Sequence, residues 1–504
     1  MASTSMTEAG GPVRIRRHAI LAFVVAALSA GVWALVRGHL IDDAFITFSY
    51  ARNLAFHGHW GLIGLDTANT ATSPLSVLVL AALTLVVRDV VLAAGVLYVL
   101  CQVVIAVGLA WLGERAGLPR WFAPLAVALL TVNPLLVSSL GLEAEFGIAA
   151  VVCLLAASVA RRPWLVGVAT GVLVLIRFDL VLIAVVVVLL RPRFWAGLAR
   201  SALAAAVVAL PWFAFSWVVL GSAVPDTVVI KTLQKAWGAF GFSNGPVLYA
   251  GVFGWATWLS FLPAALGAVA FLMWLPALAR CGPAAAALVP FAGLVPAGAV
   301  HYLAYSRLHV PPYHWYYGPS IAVTTLFFAA AVGAYAAFAG HPPVRRMAVT
   351  PALALVVASA VQYASGGLPR PFAPIMSNHT STAQYERIGP ELGRLVGAST
   401  VRSGGEIGVL AYTCGCSIVD LFDDRGEVGP AIAEREASMG PFARTLLAWN
   451  FHNFDYAQAP VEPDYALTPT PVGAPAPAHV VAKWRISSPW AGEQELYLVH
   501  GTGS

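Results

Sequence analysis

Two adjacent carboxylates, Asp42 and Asp43, directly follow an apolar segment that runs from His18 to Val36. Carboxylates are costly to place at the end of a membrane-crossing segment, so the pair indicates a functional site. A solvated turn in which the pair only caps a helix is the alternative. The residues that follow, Phe45 and Phe48 among them, predict an amphipathic helix in the membrane interface. A carboxylate at such a place can take the proton from an acceptor hydroxyl.

A second group of polar and aromatic side chains lies between residues 301 and 317, where three His, five Tyr and one Trp occur in seventeen residues. Aromatic planes flanked by hydroxyl and imidazole groups suit the recognition of a sugar. An interfacial aromatic belt would account for the rings, but not for the arginine and histidines among them. The candidate donor- or acceptor-binding residues of this segment are Arg307, His309, Tyr313, His314, Trp315 and Tyr316.

Cations that could face a phosphate come from two other segments. Two of the three lysines in the chain, Lys231 and Lys235, share one loop; a compact ammonium suits a phosphate, although an interfacial anchor explains them equally well. Arg177 and Asp179 lie between two unusually short apolar segments, which indicates a thinned or hollowed region of the membrane. Glu143 is a further candidate binding residue. The sequence has no Walker A loop, dinucleotide fingerprint or zinc-ligand spacing, so these groups fit glycosyl transfer from a lipid phosphate.

The elements that must position these residues are membrane helices. Of the 504 residues, 59% are hydrophobic and 11% charged, whereas a soluble domain carries about 25% charged residues. The sequence therefore predicts a polytopic α-helical membrane protein. Apolar runs long enough to cross a bilayer predict about 11 transmembrane helices, near 18–37, 90–112, 121–139, 144–160, 163–176, 179–190, 199–220, 246–275, 283–300, 315–338 and 347–363.

The positions of the arginines predict which side of the membrane each loop faces. If the apolar segment 73–87 does not cross, the short arginine-rich loops all lie on the cytoplasmic side, together with the N-terminus, as the positive-inside tendency requires. If it crosses, every later arginine pair faces outward. The non-crossing arrangement places Asp42, Asp43 and Glu143 on one outer face. It also predicts a transmembrane catalytic domain over residues 1–364, with a first outer loop at 38–89.

The last part of the chain, residues 365–504, is rich in Pro, Gly and charge and has no run long enough to cross a membrane. It predicts an extracytoplasmic soluble α/β domain. Short strands are expected at 407–411, 417–421, 479–484 and 496–499, and a surface loop at 471–477. Cys414 and Cys416 lie on the oxidising side, but a disulfide that spans one residue closes a small strained ring, so free thiols are expected.

Several motifs together resemble the GT-C glycosyltransferases that use a polyprenyl-phosphate donor. Within that fold the chain looks most similar to the actinobacterial terminal β-(1→2) arabinofuranosyltransferases. The matching stretches are Asp42–Thr47 with Tyr50–Leu54, Thr72–Leu75, Gly141–Glu143, Arg177–Asp179, Tyr313–Tyr317 and Gly404–Asp420.

The resemblance implies an inverting enzyme in the cell membrane that moves arabinofuranose from a polyprenyl phosphate to a cell-wall polysaccharide or lipoglycan acceptor. It implies that an aspartate of the first outer loop is the general base, which maps onto Asp42 or Asp43, and Asp42 is preferred because it lies nearer the helix end. Lys231, Arg177 and Arg307 would stabilise the phosphate charge. A divalent cation at the aspartate pair is compatible with carboxylate and phosphate ligands but is not required.

Two alternatives stay open from the sequence. A mannosyl or other hexosyl transferase of the same fold would share these residues. A secondary transporter would instead show matched broken helices in two halves of an internal repeat, and such symmetry is not evident; a membrane-anchored receptor is a weaker third alternative. Nothing in the sequence indicates nucleic-acid binding, because basic membrane loops report orientation.

Overall fold

The computed structural model describes residues 11–64, 67–234, 236–280, 282–338 and 342–501. Its first part is helical. The α-helices are α1 (Gly11–Val36), α2 (Asp42–His57), α3 (Pro74–Val87), α4 (Val90–Ala116), α5 (Phe122–Thr131), α6 (Pro134–Ser138), α7 (Ala144–Val159), α8 (Pro163–Ile176), α9 (Val181–Leu189), α10 (Leu198–Val219), α11 (Thr227–Leu233), α12 (Gly245–Phe253), α13 (Trp255–Ala279), α14 (Pro283–Leu288), α15 (Leu294–Leu308), α16 (Gly318–Phe338) and α17 (Pro342–Ala364).

The helices confirm a multi-pass membrane protein. Within the described residues, six helices are long and apolar enough to cross a bilayer, and the bent pair formed by α14 and α15 makes a seventh if it counts as one span. Five shorter apolar helices, α3, α5, α7, α8 and the segment Phe178–Leu189, accompany them. Every predicted crossing coincides with one or two of these helices. Length and composition do not fix how many cross, so the count of about 11 stays a prediction.

The apolar segment after Thr72 forms α3, which has 14 residues and is therefore about 21 Å long at 1.5 Å per residue. A bilayer core is about 30 Å thick. The helix α8, which coincides with a predicted crossing, also has 14 residues. Length therefore does not decide whether α3 crosses, and its non-crossing arrangement stays a prediction. Pro74 at its first turn suits the helix start, where a missing N–H costs nothing.

The last part of the chain confirms an α/β domain. Its elements are α18 (Thr382–Val396), β1 (Thr400–Arg402), α19 (Gly408–Cys414), β2 (Ser417–Val419), α20 (Arg425–Ala437), α21 (Pro441–Asn450), β3 (Tyr465–Pro471), β4 (Val480–Ser488) and β5 (Gly492–His500). The strand order is β2-β1-β3-β5-β4. Strand β1 is parallel to β2 and β3, while β5 is antiparallel to β3 and β4, so the sheet is mixed.

Two expectations for this domain are wrong. The segment 407–411 is not a strand but the start of α19, whose consecutive residues Val409, Leu410 and Ala411 are all buried; a short apolar run of this kind cannot be assigned by periodicity alone. Cys414 and Cys416 form a disulfide. The residue between them, Gly415, has a φ of 65°, which a glycine adopts without a steric penalty and which turns the chain back at the helix end.

Two of the contacts that join the α/β domain to the membrane helices involve α2 and α11. In the first, α19 packs on α2, where Arg52 donates to the Tyr412 carbonyl at 2.7 Å and its guanidinium lies 4.3 Å from the centre of the Tyr412 ring. In the second, α20 and α21 pack on α11 through the apolar cluster of Val229, Ile230, Val428, Ala431, Ile432, Leu447, Phe451 and Phe454. The domain is thereby held against the end of the helix bundle from which α2 starts.

Candidate active site

The two aspartates at the start of α2 have different surroundings. Asp42 is buried, and both of its oxygens accept backbone hydrogen bonds at 2.8 Å, Oδ2 from Gly408 N and Oδ1 from Val409 N. Asp43 is only partly buried and lines two neighbouring cavities. Asp42 therefore fastens α19 to α2, while the Asp43 carboxylate remains open to a bound molecule.

The first cavity, here called the acidic chamber, has a volume of about 350 Å³ and lies between α2, α11 and the α/β domain. It combines carboxylates with aromatic rings. Trp237 is 5.1 Å from Tyr313 and 5.5 Å from Trp490, centre to centre, and Tyr313 stacks on Trp315 at 4.7 Å. The residues that carry its chemistry are Asp43, Lys231, Tyr313, Trp315, Glu406 and Asp420. Such a lining suits a sugar with several hydroxyl groups.

The second cavity, here called the apolar chamber, has a volume of about 300 Å³. Aliphatic and aromatic side chains dominate its lining, with Glu143, Arg177 and Asp179 on one side. The two chambers share Asp43, Ile46, Lys231, Trp315 and Phe422. A carboxylate and an ammonium thus stand at the boundary between a polar, sugar-sized space and an apolar one.

Lys231 is the cation at this boundary. Its Nζ lies 4.0 Å from the centre of the Tyr313 ring and 4.7 Å from that of Phe422, and none of the ion pairs within 4.0 Å among the described residues includes it. Burial lowers the pKa of Lys231, and the charges of Asp43 and Asp420 oppose that shift. Its positive charge is available for a bound anion.

Burial also raises the pKa values of the carboxylates around the acidic chamber. The pKa of Asp43 is raised by burial, and the charge of Lys231 limits the rise. Burial raises the pKa of Asp420 to about 6 and that of Glu406 to about 7. Shifted carboxyl pKa values in a cleft are typical of acid–base sites.

Arg177 is held within a buried ionic network. It donates to both oxygens of Asp179 at 2.9 and 2.7 Å, to Glu143 at 3.2 Å and to the Tyr305 hydroxyl at 3.0 Å. His301 Nε2 lies 2.8 Å from Asp179 Oδ2. Two carboxylates therefore share the charge of one guanidinium, so the network builds the wall of the apolar chamber and leaves Lys231 as the less neutralised cation.

The structure brings together most of the residues that the sequence singled out. One or both chambers are lined by Asp42, Asp43, Glu143, Arg177, Asp179, Lys231, Tyr313, Trp315 and Tyr316. Arg307 and His309 are exposed at the end of α15 and line neither chamber, and His314 is buried against Tyr249 and Trp315 outside them. Lys235 lies outside the described residues.

Sequence analysis missed Glu406, the tryptophans Trp237 and Trp490, and the role of Asp420. Glu406 and Asp420 both lie in the stretch Gly404–Asp420 that carried the family resemblance, which is the one signal that could have found them. Trp237 and Trp490 have no distinctive spacing. For a divalent cation, the described part of the chain contains no group of three or more His, Cys, Asp or Glu placed to hold one, and the oxygens of Asp42 already accept two N–H groups.

The contact between Asp42 and α19 makes a testable prediction at Gly408. A Cβ added at this glycine would lie 2.0 Å from the Asp42 carbonyl oxygen, so α19 would have to move away from α2. We expect Gly408→Ala to lower the free energy of unfolding by about 1–3 kcal/mol, as overpacked contacts do. Thermal unfolding in detergent measures this, with Gly429→Ala as the matched control, since a Cβ there meets only ordinary contacts at 3.8 Å. Equal midpoints for the two variants would contradict the close approach.

Comparison with known structures then identifies the fold. The chain is similar to ArnT from Cupriavidus metallidurans in the apo state, with 14% identity, a TM-score of 0.51 and coverage of 94% of this chain and 97% of that one. The same protein bound to undecaprenyl phosphate gives 14% identity, a TM-score of 0.52 and coverage of 96% and 98%. The chain has the GT-C fold.

A second protein with this fold is the archaeal oligosaccharyltransferase AglB from Archaeoglobus fulgidus, in complex with an inhibitory peptide and a dolichol-phosphate. It has 10% identity and a TM-score of 0.52 over 89% of this chain and 69% of that one. No family model matches the sequence, and no curated protein matches it. At these identities the likeness establishes the GT-C fold and leaves the activity to be argued from the site.

Proposed function

We propose that the protein is an inverting glycosyltransferase that moves a sugar from a polyprenyl-phosphate donor to a cell-envelope glycan. The observation that carries the proposal is the position of Asp43 and Lys231 at the boundary between the apolar and acidic chambers. An apolar chamber suits the lipid side of the donor, and a polar chamber with aromatic walls suits a glycan acceptor. The undecaprenyl phosphate and dolichol-phosphate bound to the two proteins of like fold support a lipid-phosphate donor.

In the proposed reaction, an acceptor hydroxyl in the acidic chamber attacks the anomeric carbon from the face opposite the phosphate. The new C–O bond forms as the bond from the anomeric carbon to the phosphate oxygen breaks. Asp43 takes the hydroxyl proton, and the electron pair of the broken bond stays on the phosphate oxygen of the departing polyprenyl phosphate. Lys231 faces that developing negative charge, and electrostatic stabilisation of this kind commonly contributes more to catalysis than any other single effect.

This assignment makes Asp43, rather than Asp42, the general base. A base must lie within hydrogen-bond reach of the proton it removes. Asp43 borders both chambers, whereas Asp42 borders only the acidic chamber. Asp42 is committed to two backbone donors of α19 and acts as a positioning residue.

The sugar that we propose is arabinofuranose, on the motifs that resemble the arabinofuranosyltransferases. We further propose that the site and the α/β domain, residues 365–504, lie on the extracytoplasmic side, with the N-terminus in the cytoplasm and the catalytic domain within residues 1–364. The distribution of arginines supports this orientation.

The decisive experiment supplies purified protein in vesicles with radiolabelled polyprenyl-phosphate arabinose, mannose and glucose, together with a cell-envelope glycan fraction. Transfer of arabinose supports the full proposal. Transfer of mannose or glucose keeps the enzyme and corrects the sugar. If none of the three donors transfers label while the protein binds polyprenyl phosphate, the glycosyltransferase assignment fails.

The charge of Lys231 predicts a specific pH dependence. Because burial raises the pKa of Asp43 and Lys231 holds it down, the acid limb of kcat/KM should lie above the range of an ordinary aspartate, whose pKa is about 3.9. Removing the ammonium in Lys231→Met should move that limb to still higher pH, because the carboxylate form loses its partner. A pH profile of both proteins measures the shift, and a limb that moves to lower pH would contradict the pairing.

A further inference from the structure

The short helix α21 carries large apolar side chains that the protein leaves uncovered. Phe442, Leu446 and Trp449 are 78%, 54% and 61% exposed. Their spacing of four and three residues places them on one side of the helix. The side that packs on the domain is a different one, where Leu447 is buried with Phe451 in the cluster against α11. Contiguous exposed apolar groups of this kind mark a contact with a membrane or a partner.

The exposed side of α21 adjoins the exposed apolar surface of a candidate membrane span. Trp217, near the end of the candidate span Phe194–Val219, lies 5.1 Å from Trp449, ring centre to ring centre, and its Nε1 donates to the Trp449 carbonyl at 2.9 Å. Beside it on α10, Val218 and Val219 are 66% and 60% exposed. The apolar surface of α21 therefore continues the surface that α10 presents to lipid.

We infer that α21 lies in the interface of the same bilayer that α10 crosses, with Phe442, Leu446 and Trp449 in contact with phospholipid acyl chains. An amphipathic helix in this position buries its apolar side to a depth of about 5–10 Å. Tryptophan favours this depth, since its ring is apolar and its N–H is polar. Here the partner is lipid rather than another protein, because the uncovered surface is continuous with a membrane span.

This placement matters for the site, on the proposed function. Asn450, the last residue of α21, accepts from Val224 N at 2.7 Å and donates to the Val224 carbonyl at 3.2 Å. Val224 lines the apolar chamber. A helix anchored in the interface thus holds one wall of the chamber that takes the lipid donor at the level of the phospholipid headgroups.

Spin labels test the depth of α21 directly. With Cys101, Cys153 and Cys281 replaced by Ser, single cysteines are introduced at Phe442 and Leu446, and at the exposed Ala448 on the opposite side as the matched control. The full chain is reconstituted in phosphatidylcholine vesicles, and collision with oxygen is compared with collision with an aqueous nickel chelate. We expect labels at 442 and 446 to favour oxygen, at a depth of about 5–10 Å, and the label at 448 to favour the chelate.

The spin-label experiment has three outcomes that support or overturn the interfacial position of α21. The expected contrast supports interfacial anchoring. Equal access of the chelate at all three positions would overturn it, as would labels at 442 and 446 shielded from both reagents, which would mean that protein covers this side. The measurement needs no sugar transfer, so its failure leaves the proposed enzyme standing, and a failure of transfer leaves the depth result intact.

Discussion

Replacing Asp43 by Asn is expected to lower the rate of sugar transfer about 10³-fold, within the range that general bases contribute. The amide keeps the shape of the side chain but cannot take the acceptor proton. Because Asp43 is partly open to the two chambers and the change is nearly isosteric, donor binding and the thermal midpoint should stay close to wild type. Transfer assays in vesicles and binding of polyprenyl phosphate measure the two effects separately.

Two further variants serve as controls for the Asp43→Asn result. Asp455→Asn alters an exposed aspartate that lines neither chamber and should leave transfer unchanged. Asp42→Asn replaces one of the two carboxylate oxygens that accept from the N–H groups of α19. It should therefore lower the thermal midpoint more than Asp43→Asn does, and it should reduce sugar transfer less than Asp43→Asn does. If Asp42→Asn abolished transfer and Asp43→Asn did not, the roles of the two aspartates would be reversed.

Replacing Lys231 by Met is expected to lower kcat about 10²–10³-fold, the size of the loss when one stabilising group at a developing charge is removed. The methionine fills similar space beside Tyr313 and Phe422 without the ammonium. The effect should fall mainly on kcat, since the phosphate gains negative charge as the bond to the sugar breaks. Steady-state kinetics at several donor concentrations separate kcat from KM.

Lys483→Met is the matched control, because Lys483 has an exposed side chain paired with Glu495 on the sheet of the α/β domain. It should transfer sugar at the wild-type rate. Lys231→Arg should recover part of the activity, because it restores the charge with a broader, planar group. A Lys231→Met enzyme with unchanged kcat would remove Lys231 from the leaving-group role.

Sequence reasoning found the aspartate pair but not the roles of its members. On a helix with 3.6 residues per turn, neighbouring residues point about 100° apart. Both aspartates border the acidic chamber, but only one of the pair can also reach the boundary with the apolar chamber while the other is turned toward α19. Which one does so depends on where α19 docks, and α19 comes more than 350 residues later in the chain.

The same reasoning explains why Arg307 lies outside the chambers, whereas His309 follows the end of α15 with a φ of 53° and is no longer on the helix. On α15, His301 and Tyr305 are four residues apart and both face inward, toward Asp179 and Arg177. Arg307 is two residues further along and so points to the opposite side. The composition of segment 301–317 made all of its polar residues candidates for one site, whereas the helix directs their side chains to different sides.

The sequence by itself determined the class of protein and most of the groups at the site. Long apolar runs must become helices in a membrane, because a bilayer offers no partner for an unpaired backbone N–H or C=O, and charged or aromatic residues between the runs stood out against that background. Only the tertiary structure decided which of those groups share a cavity. It brought Glu406 and Asp420 from the α/β domain beside Asp43 and Lys231, and it assigned Asp42 to a structural contact. The physical reason is that the apolar runs which predict membrane helices are local features of the sequence. The docking of the α/β domain depends instead on contacts between residues hundreds of positions apart.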